Sequence, residues 1–497
     1  MFEILKDFDW MLFLQYLSPM LVLLVAAAVL MVKSILSSDE DELGFEVPFA
    51  ITIAGLIASF FAAWYFWPKV PNAMIATLYF DRAVFIGWMI VVMATLSVVL
   101  ISIDTIRESK VTYDGYFTLV LMSAFGMGII IAAANLITLL IGLEIMSISL
   151  YALVVSVRRS DISVEAGLKY FLMGGFALAF FLMGLAFIFG SIGTCDLSLI
   201  AQRAPEISDV GARAFYMFGI AMLLIGFGFK IAIVPFHAWA PDTYDGSSTP
   251  VTTLLITAAK VAVMIAFMRF ALAAAGTFDI NWYYVMWGLS AITMLYASLA
   301  AIRQYNLKRM LAYSSIVHTG FMLLLFPSAA LDHAGVVKAM LFYLISYVVM
   351  NIGAFAVIST LVADSSGEVE INRLAGLAKR RPLLAAALSL FLLSLAGFPP
   401  TIGFFAKYYL FLTAIKNGDV ALVVVAIVAS AISIYYYLKP VVVMYFRDET
   451  EVGGKAPFAN SAVLHPAVVA VLVLSAMAVV FFGVFPNNLI ELIRASI

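Results

Sequence analysis

Long stretches without charge set the first limit on what this chain can fold into. Thirteen such stretches run 10–32, 47–68, 83–103, 115–157, 162–195, 214–241, 246–268, 280–302, 310–331, 334–363, 382–415, 420–446 and 456–490. About 20 helical residues, rising about 1.5 Å each, cross the hydrocarbon core of a bilayer, so stretches of this length are read as transmembrane helices. The 115–157 stretch would reach roughly 65 Å as one helix. A reversal near Ala133 to Asn135 divides it in two. The expected fold is an all-α polytopic membrane protein of about fourteen transmembrane helices, with both termini on one side. A transmembrane β-barrel would instead show alternating segments of about ten residues.

Composition narrows the function. Only 12% of the 497 residues are charged and 64% are hydrophobic, against about 25% charged in soluble domains, which excludes a soluble enzyme. The single Cys195 can neither close an internal disulfide nor hold an iron–sulfur cluster, which takes about four cysteines, so a redox cofactor would have to sit on a partner. No basic stripe interleaves with aromatics, so nucleic acid is not an expected partner. Glu3, Asp7 and Asp9 outweigh Lys6 ahead of the first stretch, unlike a cleavable signal peptide, and 10–32 is read as the first span. Eight loop Lys and Arg residues fall on the side of the termini and fifteen on the other, including Lys379-Arg380-Arg381. The positive-inside rule then makes both termini periplasmic.

Five basic residues remain inside predicted helices, and all are lysines: Lys169, Lys230, Lys260, Lys338 and Lys407. Glu144 is the one carboxylate deep within an apolar stretch. A lysine at the bilayer centre costs about 2.5–3.5 kcal/mol on the insertion scale, and its default reading is functional, with a partner to be named. Arginine stays charged when buried, whereas lysine gains and loses its proton as its surroundings change, so a row of lysines reads as a proton path. Lys169 lies close after Arg158 and Arg159, and Lys338 is four positions into its stretch, so both can also snorkel to an interface. Lys230 and Lys260 are mid-stretch and Lys407 follows a Pro-Pro break. Glu144 is the natural ion-pair partner of one lysine, foremost Lys230.

A shift of 169 positions lays Lys169 over Lys338, Leu223-Leu224 over Leu392-Leu393 and Gly228-Phe229 over Gly397-Phe398. Two related five-helix units are expected, and because five is odd they enter the membrane from opposite faces, as an inverted repeat. The predicted division is 1–113 (helices 1–3), 114–275 (first repeat), 276–447 (second repeat) and 448–497 (last helix). Each repeat holds one interrupted helix, at Pro235 after Lys230 and at Pro399-Pro400 before Lys407. Broken helices in matching positions are the best pointer from sequence to an ion site. His237, beside the first break, and His318 are further relay candidates, with ordinary packing the competing account; no spacing suggests a metal.

The run Gly228-Phe229-Lys230-Ile231-Ala232-Ile233-Val234-Pro235-Phe236-His237-Ala238-Trp239-Ala240-Pro241-Asp242 resembles the antiporter-like subunits of respiratory complex I and the related cation/proton antiporters. The continuation from Tyr244 to Lys260, Gly142-Leu143-Glu144, and Gly397-Phe398-Pro399-Pro400 with Lys407 are most similar to the subunit N branch, and the likeness spans nearly the whole chain. Lysine at 407 is unlike the subunit M branch, which carries glutamate there, and the chain stops soon after its fourteenth span, unlike the subunit L branch. The resemblance implies a Glu144–Lys230 pair, a polar axis continuing through Lys260 and ending at Lys407, and a role for Lys169. It implies partners among the other membrane-arm subunits, both antiporter-like and small, with FMN, iron–sulfur clusters and quinone on partner chains and no cofactor here. A bacterial inner membrane follows, and a homo-oligomer is not expected. The alternatives are a Na⁺ or K⁺/H⁺ antiporter subunit without redox coupling, and a scaffold whose lysines pair only structurally.

Overall fold

A computed structural model of the chain describes residues 10–36, 44–70, 72–109, 112–156, 161–275, 280–361, 369–448 and 464–495. Of the charges that set the expected orientation, Glu3, Lys6, Asp7, Asp9, Lys110, Arg158, Arg159 and Lys455 lie outside the described residues. The first crossings are α1 (Trp10–Leu36), α2 (Glu46–Phe66) and α3 (Arg82–Ile101). Next come α4 (Tyr113–Ala132), α5 (Leu136–Val154) and α6 (Asp161–Ile192), a crossing broken into α7 (Val210–Lys230) and α8 (Trp239–Gly246), and α9 (Thr249–Ala274). The pattern then repeats as α10 (Ile280–Ile302), α11 (Leu307–Leu323), α12 (His333–Leu361), the broken pair α13 (Pro382–Ala396) and α14 (Ile402–Lys416), and α15 (Val420–Phe446). The last crossing is α16 (Pro466–Val484), followed by the short α17 (Pro486–Arg494).

Among the described residues twelve helices are long and apolar enough to span a membrane. The 17-residue α11 and the broken α13–α14 crossing bring the number to fourteen. The chain reverses between α4 and α5 at residues 133–135, where the sequence places the turn. A small antiparallel hairpin, Ala73–Ile75 with Leu78–Phe80, interrupts the helices between α2 and α3.

Local chemistry explains where helices begin. Asn135 caps α5, its side-chain oxygen accepting from the Ile137 amide at 2.8 Å, and Asn306 caps α11 by accepting from Lys308 N at 2.9 Å. Each asparagine also sits in an isolated antiparallel bridge to the segment after the next helix, Asn135 with Asp196 and Asn306 with Glu370. The bonds correspond: Leu136 N to Cys195 O at 2.9 Å and Leu197 N to Ala134 O at 3.0 Å, then Leu307 N to Val369 O at 2.7 Å and Ile371 N to Tyr305 O at 2.8 Å. Since α5 and α11 are five crossings apart with a reversal at each, and five is odd, one staple lies at either face of the bundle.

The interior is set by α9, whose apolar core is buried throughout, and by α12, nearly so, whereas α1, α6 and α16 turn apolar side chains outward as lipid-facing helices do. Close backbone approach holds α4 against α5. A Cβ on Gly126 would lie 2.6 Å from Met146 N, and one on Gly142 would lie 2.9 Å from Ile130 N. Small residues at a membrane helix contact permit such packing. It fixes the helix that carries Glu144.

Candidate functional site

The first break begins where α7 ends at Lys230. Ile233 N bonds back to Gly228 O at 2.7 Å and Ala232 takes a left-handed φ of 59°, so the helical ladder stops before Pro235, which has no amide to donate. Neighbouring helices satisfy the freed groups. Val234 N donates to Thr293 Oγ1 of α10 at 3.2 Å, Trp239 Nε1 donates to Phe229 O at 2.8 Å, and Thr319 Oγ1 of α11 donates to Ile231 O at 2.9 Å. Backbone freed within a membrane is tolerated where protein supplies such partners.

Lys230 reaches away from its own break. Its Nζ donates to Ser147 Oγ at 2.6 Å and approaches Tyr151 Oη at 3.4 Å, both on α5. Glu144 stands one turn before Ser147 and lines the same small cleft as Lys230 and Gly226. Among the described residues no ion pair within 4.0 Å joins Glu144 to Lys230. The expected partners therefore face one cleft, with Ser147 holding the ammonium in place of the carboxylate.

The centre is built around α11. Lys260 directly follows a π-helical stretch, Leu255–Ala259, a single-turn bulge within the helix of a kind frequent at functional sites. Its side chain is 2% exposed, and Nζ donates to Ser315 O at 2.9 Å, to Ser315 Oγ and to Thr319 Oγ1 at 3.1 Å. Tyr347 of α12 donates to Ser315 Oγ at 2.9 Å. His318, also buried, shares hydrogen bonds with Tyr343 Oη at 2.6 Å and Tyr437 Oη at 3.1 Å, and Tyr437 bonds Ser314. Residues 314, 315, 318 and 319 share one side of α11 because positions four apart stack on a helix. That side touches the first break through Thr319 and Lys260 through Ser315.

At the second break α13 ends on Gly397, with φ 91°, and Phe398 N returns to Leu393 O at 3.0 Å in a Schellman-type turn. Lys407 comes from the next half-helix. Its Nζ donates to Ala396 O at 2.8 Å and Ser430 Oγ at 3.0 Å, and it lies 5.1 Å over the ring of Phe321 of α11. Pro399 and Pro400 form the turn between the half-helices.

The other expected residues fall outside this row. Lys169 is partly exposed and pairs with Glu165 and Asp242, each at 2.9 Å, and Asp242 also binds Arg309 at 2.7 Å. Lys338 is half-buried in the second turn of α12. His237 is buried against Tyr296, its Nδ1 without a hydrogen-bond partner. Lys308, assigned from sequence to a loop, is 2% exposed and donates to the carbonyls of Asp245 at 2.9 Å and Ser247 at 2.6 Å. It stands one residue after the start of α11 at the end of a hydropathic stretch, where a charge reads as loop. Among the described residues no group of three or more His, Cys, Asp or Glu side chains has the placement of a metal site.

Fourteen crossings, two of them broken, with a lysine bonded beside each break, are the architecture of an antiporter-like membrane subunit. Residues 133–433 match the family model described as NADH:quinone oxidoreductase/Mrp antiporter, TM. NADH-quinone oxidoreductase subunit N of Bdellovibrio bacteriovorus is 35% identical over 485 residues, 97% of each chain, and that of Desulforamulus reducens is 39% identical over 378 residues, 76% of each. The chain belongs to the NADH-quinone oxidoreductase subunit N family. A chain from the structure of respiratory complex I of Thermus thermophilus with bound aureothin superposes with a TM-score of 0.80 at 30% identity, over 96% of this chain and 100% of that one. The fold is also that of a chain in the Mrp complex from Dietzia sp., with a TM-score of 0.80 at 21% identity over 97% of both.

Proposed function

We propose that this chain is a membrane-arm subunit of NADH:quinone oxidoreductase that moves protons through Glu144, Lys230, Lys260 and Lys407, driven by NADH oxidation and quinone reduction in partner subunits. The chain supplies no redox chemistry; FMN, iron–sulfur clusters and quinone belong to partner chains, and other antiporter-like and small membrane subunits flank it. The observation that carries the reading is the shared face of α11, whose side chains bond both to the carbonyl just after Lys230 and to Lys260. Hydroxyl groups both accept and donate, so such a face offers a proton successive stations in hydrocarbon.

The two staples at Asn135 and Asn306 support a division into inverted units, 114–275 and 276–447, with 1–113 and 448–497 flanking them. In this reading the termini are periplasmic. Approach of Glu144 favours the charged form of Lys230, and withdrawal in a dry cleft favours release of the proton toward Lys260 and onward to Lys407. Lys169 and Lys338 lie toward opposite interfaces and serve exchange with them, while His237 and His318 are secondary relays.

The test compares NADH-driven acidification of inverted membrane vesicles carrying wild type or Lys230→Ala, with NADH oxidation and assembly measured in parallel. Loss of acidification in an assembled complex is expected. Undiminished NADH-driven acidification would turn the assignment toward a cation/H⁺ antiporter or a scaffold.

A further inference from the structure

The second unit holds a buried carboxylate that the lysine row does not use. Asp419, between α14 and α15, is 2% exposed. It occupies the N-cap position of α15, where an aspartate ordinarily accepts from the first turn's amides, yet its side chain makes no capping bond. Its backbone alone serves the helix, Asp419 O accepting from Val423 N at 3.1 Å. The carboxylate turns inward, where the hydroxyls of Ser328, beyond α11, and Tyr283, at the start of α10, face it. One oxygen, Oδ1, is buried without a hydrogen-bond partner. A buried, unpaired carboxylate oxygen is costly, which argues against a role in packing alone. Burial holds the Asp419 carboxyl above the ordinary carboxylate range, with the two hydroxyls opposing that shift in part.

Its place in the fold gives it a use. The end of α14, the start of α10 and the end of α11 all meet at the face of the membrane where α1 begins, because successive crossings alternate. Lys416, at the end of α14, lies nine positions after Lys407, a drop of roughly 14 Å toward that face. The same helix therefore carries the last lysine of the row and leads into the carboxylate.

We propose that Asp419 is the exit carboxylate of the second unit, receiving through water the proton that leaves Lys407 and passing it to the side of the termini. This rests on the proton-translocating reading above. The Lys407 ammonium becomes an amine, the Asp419 carboxylate becomes a carboxylic acid, and release to bulk water restores the carboxylate. No electron moves.

The test measures NADH-driven acidification in inverted vesicles for Asp419→Asn, Asp419→Glu and, as reference, Lys407→Ala, with assembly and NADH oxidation recorded. The amide keeps the size of the group and a partner for Ser328 and Tyr283, and loses only titration. Expected is about a hundredfold slower proton step for Asp419→Asn, the low end of what a placed acid–base group contributes, with assembly intact and recovery in Asp419→Glu. Full acidification in Asp419→Asn while Lys407→Ala abolishes it overturns the role of Asp419 and leaves the broader reading standing. Failure of Asp419→Asn to assemble also counts against it, since that assigns the residue to structure. Undiminished acidification in Lys407→Ala overturns the broader reading itself.

Discussion

The two broken helices meet one electrostatic problem in different ways. A helix that stops inside a membrane leaves unpaired carbonyls and the negative end of its dipole in a poor solvent, and a cation nearby relieves both. At the first break Lys230 is the terminal residue of α7, but its amine leaves for Ser147, and Trp239 and Thr319 satisfy the exposed carbonyls. At the second, Lys407 reaches back from α14 and itself binds Ala396 O. The first lysine is thus free to change partner without opening its break, whereas the second is part of the break. On the proposed proton path the first would act as a switch and the second as a fixed station.

The strongest way to break this comparison is to keep charge and remove proton exchange. Lys230→Arg and Lys407→Arg each preserve a cation that does not deprotonate in a protein, so NADH-driven acidification is expected to collapse in both while the complex assembles. Retained pumping in either would remove that lysine from the path. Truncation should then separate the two sites by stability. Lys407→Ala leaves Ala396 O without its donor and is expected to cost about 1–3 kcal/mol, read as a lower Tm of the purified complex. Lys230→Ala should cost less than half as much, since the Ser147 hydroxyl already bonds Leu143 O in its own helix. Equal losses would mean that both lysines close their breaks.

A smaller effect tests the backbones. Gly397 has φ 91°, and a Cβ there would lie 3.1 Å from Lys407 Cδ, so Gly397→Ala should destabilise by about 1–2 kcal/mol and displace the lysine. Ala232 already bears a Cβ at φ 59°, so Ala232→Gly should be neutral or slightly stabilising by the same measurement. A loss at Ala232→Gly comparable to that at Gly397→Ala would show that the first break depends on its own backbone as the second does.

The sequence showed the crossings and the lysines because a charge within twenty apolar residues is conspicuous. Lys230, Lys260 and Lys407, all conspicuous in this way, are each hydrogen-bonded inside the bundle. Lys308 and Asp419 escaped notice because they stand at the ends of apolar stretches, where buried and loop charges look alike. Ser314, Ser315, Thr319 and the tyrosines around His318 escaped for another reason: hydroxyl residues bond their own helix so often that their spacing alone marks no path. Lys169 could not be placed from its stretch, since hydropathy does not tell the face turned to the interior from the one turned outward. Its partner Asp242 lies 73 positions away and meets it only once α8 has folded beside α6.

That partner offers the mildest and most discriminating experiment. Asp242 ties α8 to α6 through Lys169 and to α11 through Arg309, with the three side chains between 29% and 44% exposed. Ion pairs at such exposure contribute about 0–1 kcal/mol and weaken as salt rises. Among the described residues no ion pair holds α14, the matching half-helix of the second break. If α8 is the movable half and α14 the fixed one, Asp242→Asn should leave Tm nearly unchanged, within about 1 kcal/mol. It should still speed amide hydrogen exchange across 239–246 while leaving 402–416 as in the wild type, and high salt should reproduce part of that local effect in the unmutated chain. Equal acceleration in both half-helices would instead mean that the two breaks move as one body, and Lys230 could not then change partners independently of Lys407.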